Sequence, residues 1–153
     1  MAFTISSAAF VQGGSIPREY SCDGKDESPV LSWNDPPAGT ESFALICEDP
    51  DAPGGNWMHW LIYCIPGSAK GLPRAVPSTA RLPDGSVQGR NDFGNLGYGG
   101  PCPPPGKPHR YFFRLFALSR QATLAPGAGR KELLKAIEGI AMAKVEVFGT
   151  YGR

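Results

Sequence analysis

His59 and His109 are the only imidazoles in the 153-residue chain, and polar or turn-forming residues gather around both. His59 stands in the apolar run W-M-H-W-L-I, shortly after the acidic turn D-P-D-A-P at 49–53. His109 precedes Arg110 and Tyr111 and follows the stretch GNLGYGGPCPPPG at 94–106. A neutral imidazole offers one donor and one acceptor, its charged form offers two donors, and a phenol offers one of each. Two imidazoles, the carboxylates of Asp49 and Asp51, the Tyr111 hydroxyl and the glycine-rich loop would make one polar site if the fold brings them together. Alternatively, two histidines and a carboxylate are a metal-binding combination, which would suit a metal-assisted hydrolase. Each feature alone has an ordinary structural account, because a strand histidine is satisfied locally and D-P-D-A-P is a good turn. They act together only if the strands carrying His59 and Tyr111 lie close in space.

Those strands are read from short apolar segments between breakers, at 42–47, 57–65, 110–118 and 144–148, rich in aromatic and branched side chains. Alternation puts Phe43, Leu45 and Cys47 on one face, which Asp49 would continue. It also predicts one face for Trp57, His59, Leu61 and Tyr63, and another for Tyr111, Phe113, Leu115 and Ala117 with His109 just before them. A helix is predicted over 130–142, with Leu133, Leu134, Ile137 and Ile140 or Ala141 forming its apolar stripe. The stretch at 94–106 is neither helix nor central strand, since its prolines lack N–H donors and its glycines favour tight turns. A constrained loop of that length is a place where function concentrates.

Composition limits the architecture. With 20 Gly and 16 Pro, long helices are excluded over most of the chain, while 8 Phe, 5 Tyr and 3 Trp supply a core that a disordered segment lacks. The expectation is one mainly β domain over 1–153 with few helices. Lys and Arg number 15 against 14 Asp and Glu, so the basic surplus of a nucleic-acid binder is missing. No apolar run is long enough to span a membrane, and the N-terminus does not read as a signal peptide. A cytoplasmic protein is expected. Cys22, Cys47, Cys64 and Cys102 form no C-x-x-C pair, so free thiols are expected in that compartment. No G-x-S-x-G elbow, H-E-x-x-H or Walker loop is present, and the Gly127-Ala128-Gly129 start is not completed as a dinucleotide fingerprint.

Taken in order, SPVLSW at 28–33, FALICEDPDAPGG at 43–55, NWMHWLIYCIP at 56–66, GRNDFGNLGYGGPCPPPGKPHRYFFRLFAL at 89–118 and the closing GTYGR resemble the phosphatidylethanolamine-binding proteins, and within them the bacterial Raf-kinase-inhibitor-like branch. D-P-D-A-P is weak by itself, but followed by W-x-H and then G-x-x-H-R-Y it is specific, and the resemblance spans essentially the whole chain. It implies a central antiparallel sheet packed on a second, smaller sheet, with short peripheral helices. It also implies a surface pocket for phosphate-like anions or phospho-headgroups and no cofactor. Carried over position by position, the pocket is lined by Asp49, Asp51, Pro53, Trp57, His59, Gly100, Pro103, His109 and Tyr111. In that picture the imidazoles, the phenol and a backbone N–H near Gly100 donate to the anion. Asp49 orients a histidine or pairs with an ammonium group, and Trp57 and Pro53 form apolar walls.

A non-enzymatic binding protein is the expectation, with modulation of a protein kinase through a phosphorylated ligand as one implied role. Inhibition of a protease or kinase by surface docking is the other. The resemblance further implies homodimers, and no nucleic acid or integral membrane contact is expected. The chain departs from many relatives at Gly139-Ile140, where they carry Gly-His, and at Glu48, where Asp is common. The second change should be minor if that side chain is exposed.

Overall fold

The structure, a computed structural model, describes residues 2–153. In chain order its strands are β1 (Thr4–Ser6), β2 (Leu31–Asn34), β3 (Ser42–Asp49), β4 (Trp57–Pro66), β5 (Gly71–Leu72), β6 (Val87–Gln88), β7 (His109–Leu118) and β8 (Ala141–Tyr151). A single-turn 3-10 segment, Arg18–Tyr20, precedes β2, and helix α1 (Arg130–Ile137) precedes β8. Two antiparallel sheets result, one of three strands in the order β1-β2-β5 and one of five in the order β6-β4-β3-β7-β8. The mainly β, two-sheet architecture is therefore as expected.

β3 is central and every one of its residues is buried. That explains its run S-F-A-L-I-C, which shows no polar alternation because both faces are covered. Phe43, Leu45 and Cys47 turn toward the small sheet, where Ile5, Leu31, Trp33 and Leu72 meet Phe113, Leu115 and Val147. Ala44 and Ile46 turn the other way and pack with Met58, Leu61 and Tyr63 beneath Leu133 and Ile137 of α1. Burying a side chain such as Leu133 or Ile137 contributes about 1.5–3 kcal/mol, so α1 is held by its contacts with the sheet.

The helix is shorter than the predicted 130–142. Gly139, at φ +85°, takes the left-handed conformation that stops helices, and Ala141 already belongs to β8. Ile140 still closes the apolar stripe from just beyond the helix end.

β4 corrects the predicted alternation. Cys47 pairs with Trp60 but Glu48 pairs with Met58, so His59 is the extra residue of a bulge. Beyond the bulge Leu61 and Tyr63 face α1 with Met58, while Trp60 and Ile62 face the small sheet. His59, Leu61 and Tyr63 thus do not share a face. A second register shift sits opposite Phe43 and Leu45, where Cys64 adopts φ +57°.

The free-thiol expectation holds for Cys47 and Cys64, which are buried, and fails for the other two. Cys22 and Cys102 form a disulfide across 80 residues, with Cα atoms 5.4 Å apart. The absence of C-x-x-C excluded close metal and redox motifs but said nothing of a long-range bridge. No helix among the described residues is long and apolar enough to cross a membrane.

Candidate functional site

Antiparallel pairing brings the C-terminal end of β3 beside the N-terminal ends of β4 and β7. Asp49, His59, His109 and Tyr111 gather there. The strands carrying His59 and Tyr111 are not neighbours, since β3 lies between them, yet their rings meet edge to face with centroids 5.1 Å apart. Around these groups lies a cavity of about 60 Å³, which Pro53, Trp57 and Pro103 also line. At roughly 10–15 Å³ for each water-sized position, it admits a group of a few heavy atoms.

Asp49 is 3% exposed and both of its oxygens are engaged. Oδ1 accepts the Asp51 N–H at 2.8 Å, which forms the D-P-D turn, and Oδ2 accepts Nδ1–H of His109 at 2.7 Å. The carboxylate therefore orients that imidazole, with Nε2 left for a ligand. His59 is held differently, because its Nδ1–H donates to the carbonyl of Gly99 at 2.7 Å. Gly99 N–H returns a bond to the His59 carbonyl at 2.9 Å. Burial outweighs the neighbouring acceptors and pushes the His59 pKa below its ordinary value. Burial first, and the charge of Asp49 second, push the Tyr111 phenol upward, so its hydroxyl keeps its hydrogen at neutral pH.

Two of the expected residues lie elsewhere. Asp51 faces outward, where Arg110 Nε and Nη2 each donate to it at 2.9 Å and the Arg110 backbone N–H adds a third bond. The guanidinium lowers its pKa to about 2. It lines an open groove of about 520 Å³ with Lys107, Pro108 and Arg110, which touches the small cavity only through His109. Gly100 is not in the cavity wall, and its N–H donates to Asp26 Oδ1 at 2.7 Å, so it has no hydrogen to offer an anion there. It is a glycine because a Cβ would meet the Tyr20 carbonyl at 2.2 Å. This puts Gly100 beside a separate hollow of about 270 Å³ with Asp26, Asn91 and Tyr98.

Sequence reasoning missed Ala52, Phe93, Cys102 and Pro104, which complete the cavity lining. Phe93 packs edge to face on both Trp57 and His59 at 5.5 and 5.4 Å. Its turn is set by Asn91 Oδ1, which accepts the Phe93 and Asn95 N–H groups. The adjoining Asp92 accepts the Met58 N–H at 2.7 Å and ties this turn to β4. The N-D-F-G run was a turn signal, but nothing local says which wall the turn serves. Cys102 enters through the disulfide, which fastens the proline-rich loop to Cys22 beside the cavity.

Glu48 corrects a further expectation, for it is only 2% exposed. It accepts from Asn56 Nδ2 and from Arg130 Nε at 2.8 Å, and Arg114 Nε lies 3.1 Å from its other oxygen as an ion-pair contact. Arg114 Nε lacks hydrogen-bond alignment in that contact. The longer Glu arm, rather than Asp, reaches these partners from the central strand.

No cluster of three or more His, Cys, Asp or Glu among the described residues is arranged to hold a metal ion. The expected metal alternative is also divided by its own bonds, since Asp49 is used on His109 and Asp51 on Arg110. The site holds two imidazoles with fixed rings, a protonated phenol and apolar walls around a space of about 60 Å³.

The chain has relatives in both sequence and fold. Residues 6–152 match the family model described as phosphatidylethanolamine-binding protein. A UPF0098 protein of Methanothermobacter thermautotrophicus is 51% identical over 149 residues, covering 97% of this chain and 98% of its own. One from Aquifex aeolicus is 47% identical over 151 residues, covering 97% and 88%. Among solved structures, the Chlamydia trachomatis homolog CT736 superposes with a TM-score of 0.90 at 37% identity, covering 99% of this chain and 98% of its own. Escherichia coli YbcL, described as a member of the mammalian PEBP family, gives 0.91 at 34% identity, covering 100% and 99%. With its whole length matched in sequence and in fold, the chain belongs to the phosphatidylethanolamine-binding protein family.

Proposed function

We propose that the chain is a non-enzymatic binding protein that takes a phosphate-like anion or phospho-headgroup in the cavity between His59, His109 and Tyr111. The observation that carries this reading is the commitment of both Nδ1 atoms, one to Asp49 and one to Gly99. Each ring is fixed, and each has Nε2 as its remaining polar atom beside a cavity of about 60 Å³. The volume suits a head such as phosphate, whereas pockets for whole small molecules are about 300–1,000 Å³. Lys107 in the open groove supplies positive charge on the approach, while Arg110 is paired with Asp51. An anion presented by a phosphorylated protein would connect this site to kinase signalling. The disulfide favours an oxidising compartment, or the interior of a heat-adapted cell, over an ordinary reducing cytoplasm.

Calorimetric titration with phosphoethanolamine tests the reading. Saturable binding is expected in the wild type, with affinity weakened about tenfold or more in folded His109→Ala, the scale of one charge-assisted hydrogen bond. Absence of binding at millimolar ligand would overturn it.

A further inference from the structure

We infer that this cavity, read as the anion site proposed above, selects a phosphate that carries its own hydrogen, and that His59 sets the choice. The preferred ligand is a phosphomonoester or inorganic phosphate in its singly protonated form, in preference to phosphodiesters and sulfate esters.

The two imidazoles present unlike faces to a ligand. A carbonyl can only accept, so the hydrogen of the His59 ring sits on Nδ1, 2.7 Å from the Gly99 oxygen. Nε2 of the neutral ring then carries a lone pair. His59 is 3% exposed and lines the cavity, so that lone pair is a sheltered acceptor at the edge of the ligand space. His109 is held by a carboxylate instead, 2.7 Å from Asp49 Oδ2. With a carboxylate accepting at Nδ1 and an anion facing Nε2, the ring at 109 is placed to donate on both sides. Gly99 supplies His59 with a dipole only.

Other groups bear on the His59 ring. Asp49 at the end of β3, Asp26 from the loop before β2, and the Gly99 and Gly100 backbone all favour its charged form, and burial outweighs them. Tyr111 packs against its edge, with His109 stacked beyond. Phe93 covers another side with an apolar ring. The neutral, accepting state is therefore the one that the surroundings maintain.

A ligand that fits must donate at one point and accept at another. A singly protonated phosphomonoester does both, through P–OH toward His59 and P–O⁻ toward His109. A phosphodiester or a sulfate ester is an anion without an acidic hydrogen. It sets an oxygen lone pair against the nitrogen lone pair in a site with little water, and the bond goes unmade. Charge and size are nearly the same for phosphate and sulfate esters, so this hydrogen is what separates them.

The test is calorimetry on the wild-type protein at about pH 6, near the second ionisation of a phosphomonoester. The probes are phosphoethanolamine, its sulfate-ester isostere and glycerophosphoethanolamine. Expected is phosphoethanolamine bound at least about tenfold more tightly than either of the others, the scale of one unmade buried hydrogen bond. The preference should collapse in His59→Phe, with its fold checked by circular dichroism. Nitrogen-15 NMR of the wild-type complex should show His59 Nε2 as an acceptor, a readout that a purely packing role would not give. Equal affinity for the phosphate and sulfate esters overturns the inference and leaves the anion-site reading intact. A weak diester beside an equally tight sulfate ester does the same, because size alone would then be the filter. Absence of binding by all three probes overturns both.

Discussion

Asp49 Oδ2 and His109 Nδ1 lie 2.7 Å apart although 60 residues separate them in sequence. The contact exists because β3 ends where β7 begins, with Glu48 registered against Phe112. It couples the D-P-D turn to the H-R-Y strand and fixes which imidazole nitrogen remains for a ligand. Asp49→Asn keeps an acceptor for the Asp51 N–H but removes the charge opposite His109. Urea denaturation should show a loss of about 1–3 kcal/mol for it, and a larger loss for Asp49→Ala, which removes the acceptor of both the Asp51 N–H and His109 Nδ1. Wild-type stability in Asp49→Asn would mean that the charge is not needed.

His59 predicts a pH dependence with a definite sign. Its folded pKa is below the unfolded value of about 6.5, so the unfolded chain binds the extra proton first. Stability attributable to this ring is complete above about pH 6.5 and declines as pH falls toward the folded pKa. In paired denaturation curves, folded His59→Phe should lose less stability than the wild type over that window. Parallel losses in the two proteins would contradict the assignment.

Asp51 titrates at about 2 because Arg110 donates to it. In Arg110→Ala its pKa should rise toward the unperturbed 3.9 or so, read from carboxyl carbon shifts. The pair is exposed, with side-chain exposures of 50% and 30%, so its removal should change stability little. Its contribution is present above the unfolded pKa and is lost as pH falls through about 4 toward 2.

The Cys22–Cys102 bond closes a loop of 80 residues. The double variant Cys22→Ser, Cys102→Ser should be less stable by about 2–4 kcal/mol. Because Cys102 is part of the cavity wall, faster amide exchange should appear in the proline-rich loop at 99–106 before it appears in β3. Uniform exchange across both segments would argue against a local role for the bond.

Glu48 should tolerate little change. Glu48→Ala leaves Arg114 and Arg130 without their shared buried carboxylate, and thermal or urea unfolding should register a loss of about 2–3 kcal/mol. That is below the 3–5 kcal/mol of a fully buried pair, since the Arg130 side chain is 45% exposed. Glu48→Asp should lose part of the same amount because the shorter arm cannot span to Arg130.

Much of the fold was legible because local chemistry decides it. β3 and β7 follow from apolar runs between breakers, and the alternation of Phe43, Leu45 and Cys47 led correctly to the inward direction of Asp49. Strand alternation likewise put His109 with Tyr111 and Phe113. The motif order identified the family, and with it the residues that gather at one end of the sheet. Tertiary structure alone decided the rest. Period-two reasoning cannot see the bulge at His59, because an extra residue is accommodated only when β4 is paired with β3. The helix limit depended on Gly139 taking a left-handed conformation, where the apolar spacing by itself ran on to 142. Phe93, Gly100 and Cys102 owe their positions to hydrogen bonds and a disulfide between distant loops, and no local signal encodes those partners. The anchoring of the two imidazoles is of the same kind. Identical side chains are held differently because Nδ1 is folded against the Gly99 carbonyl at 59 and against the Asp49 carboxylate at 109.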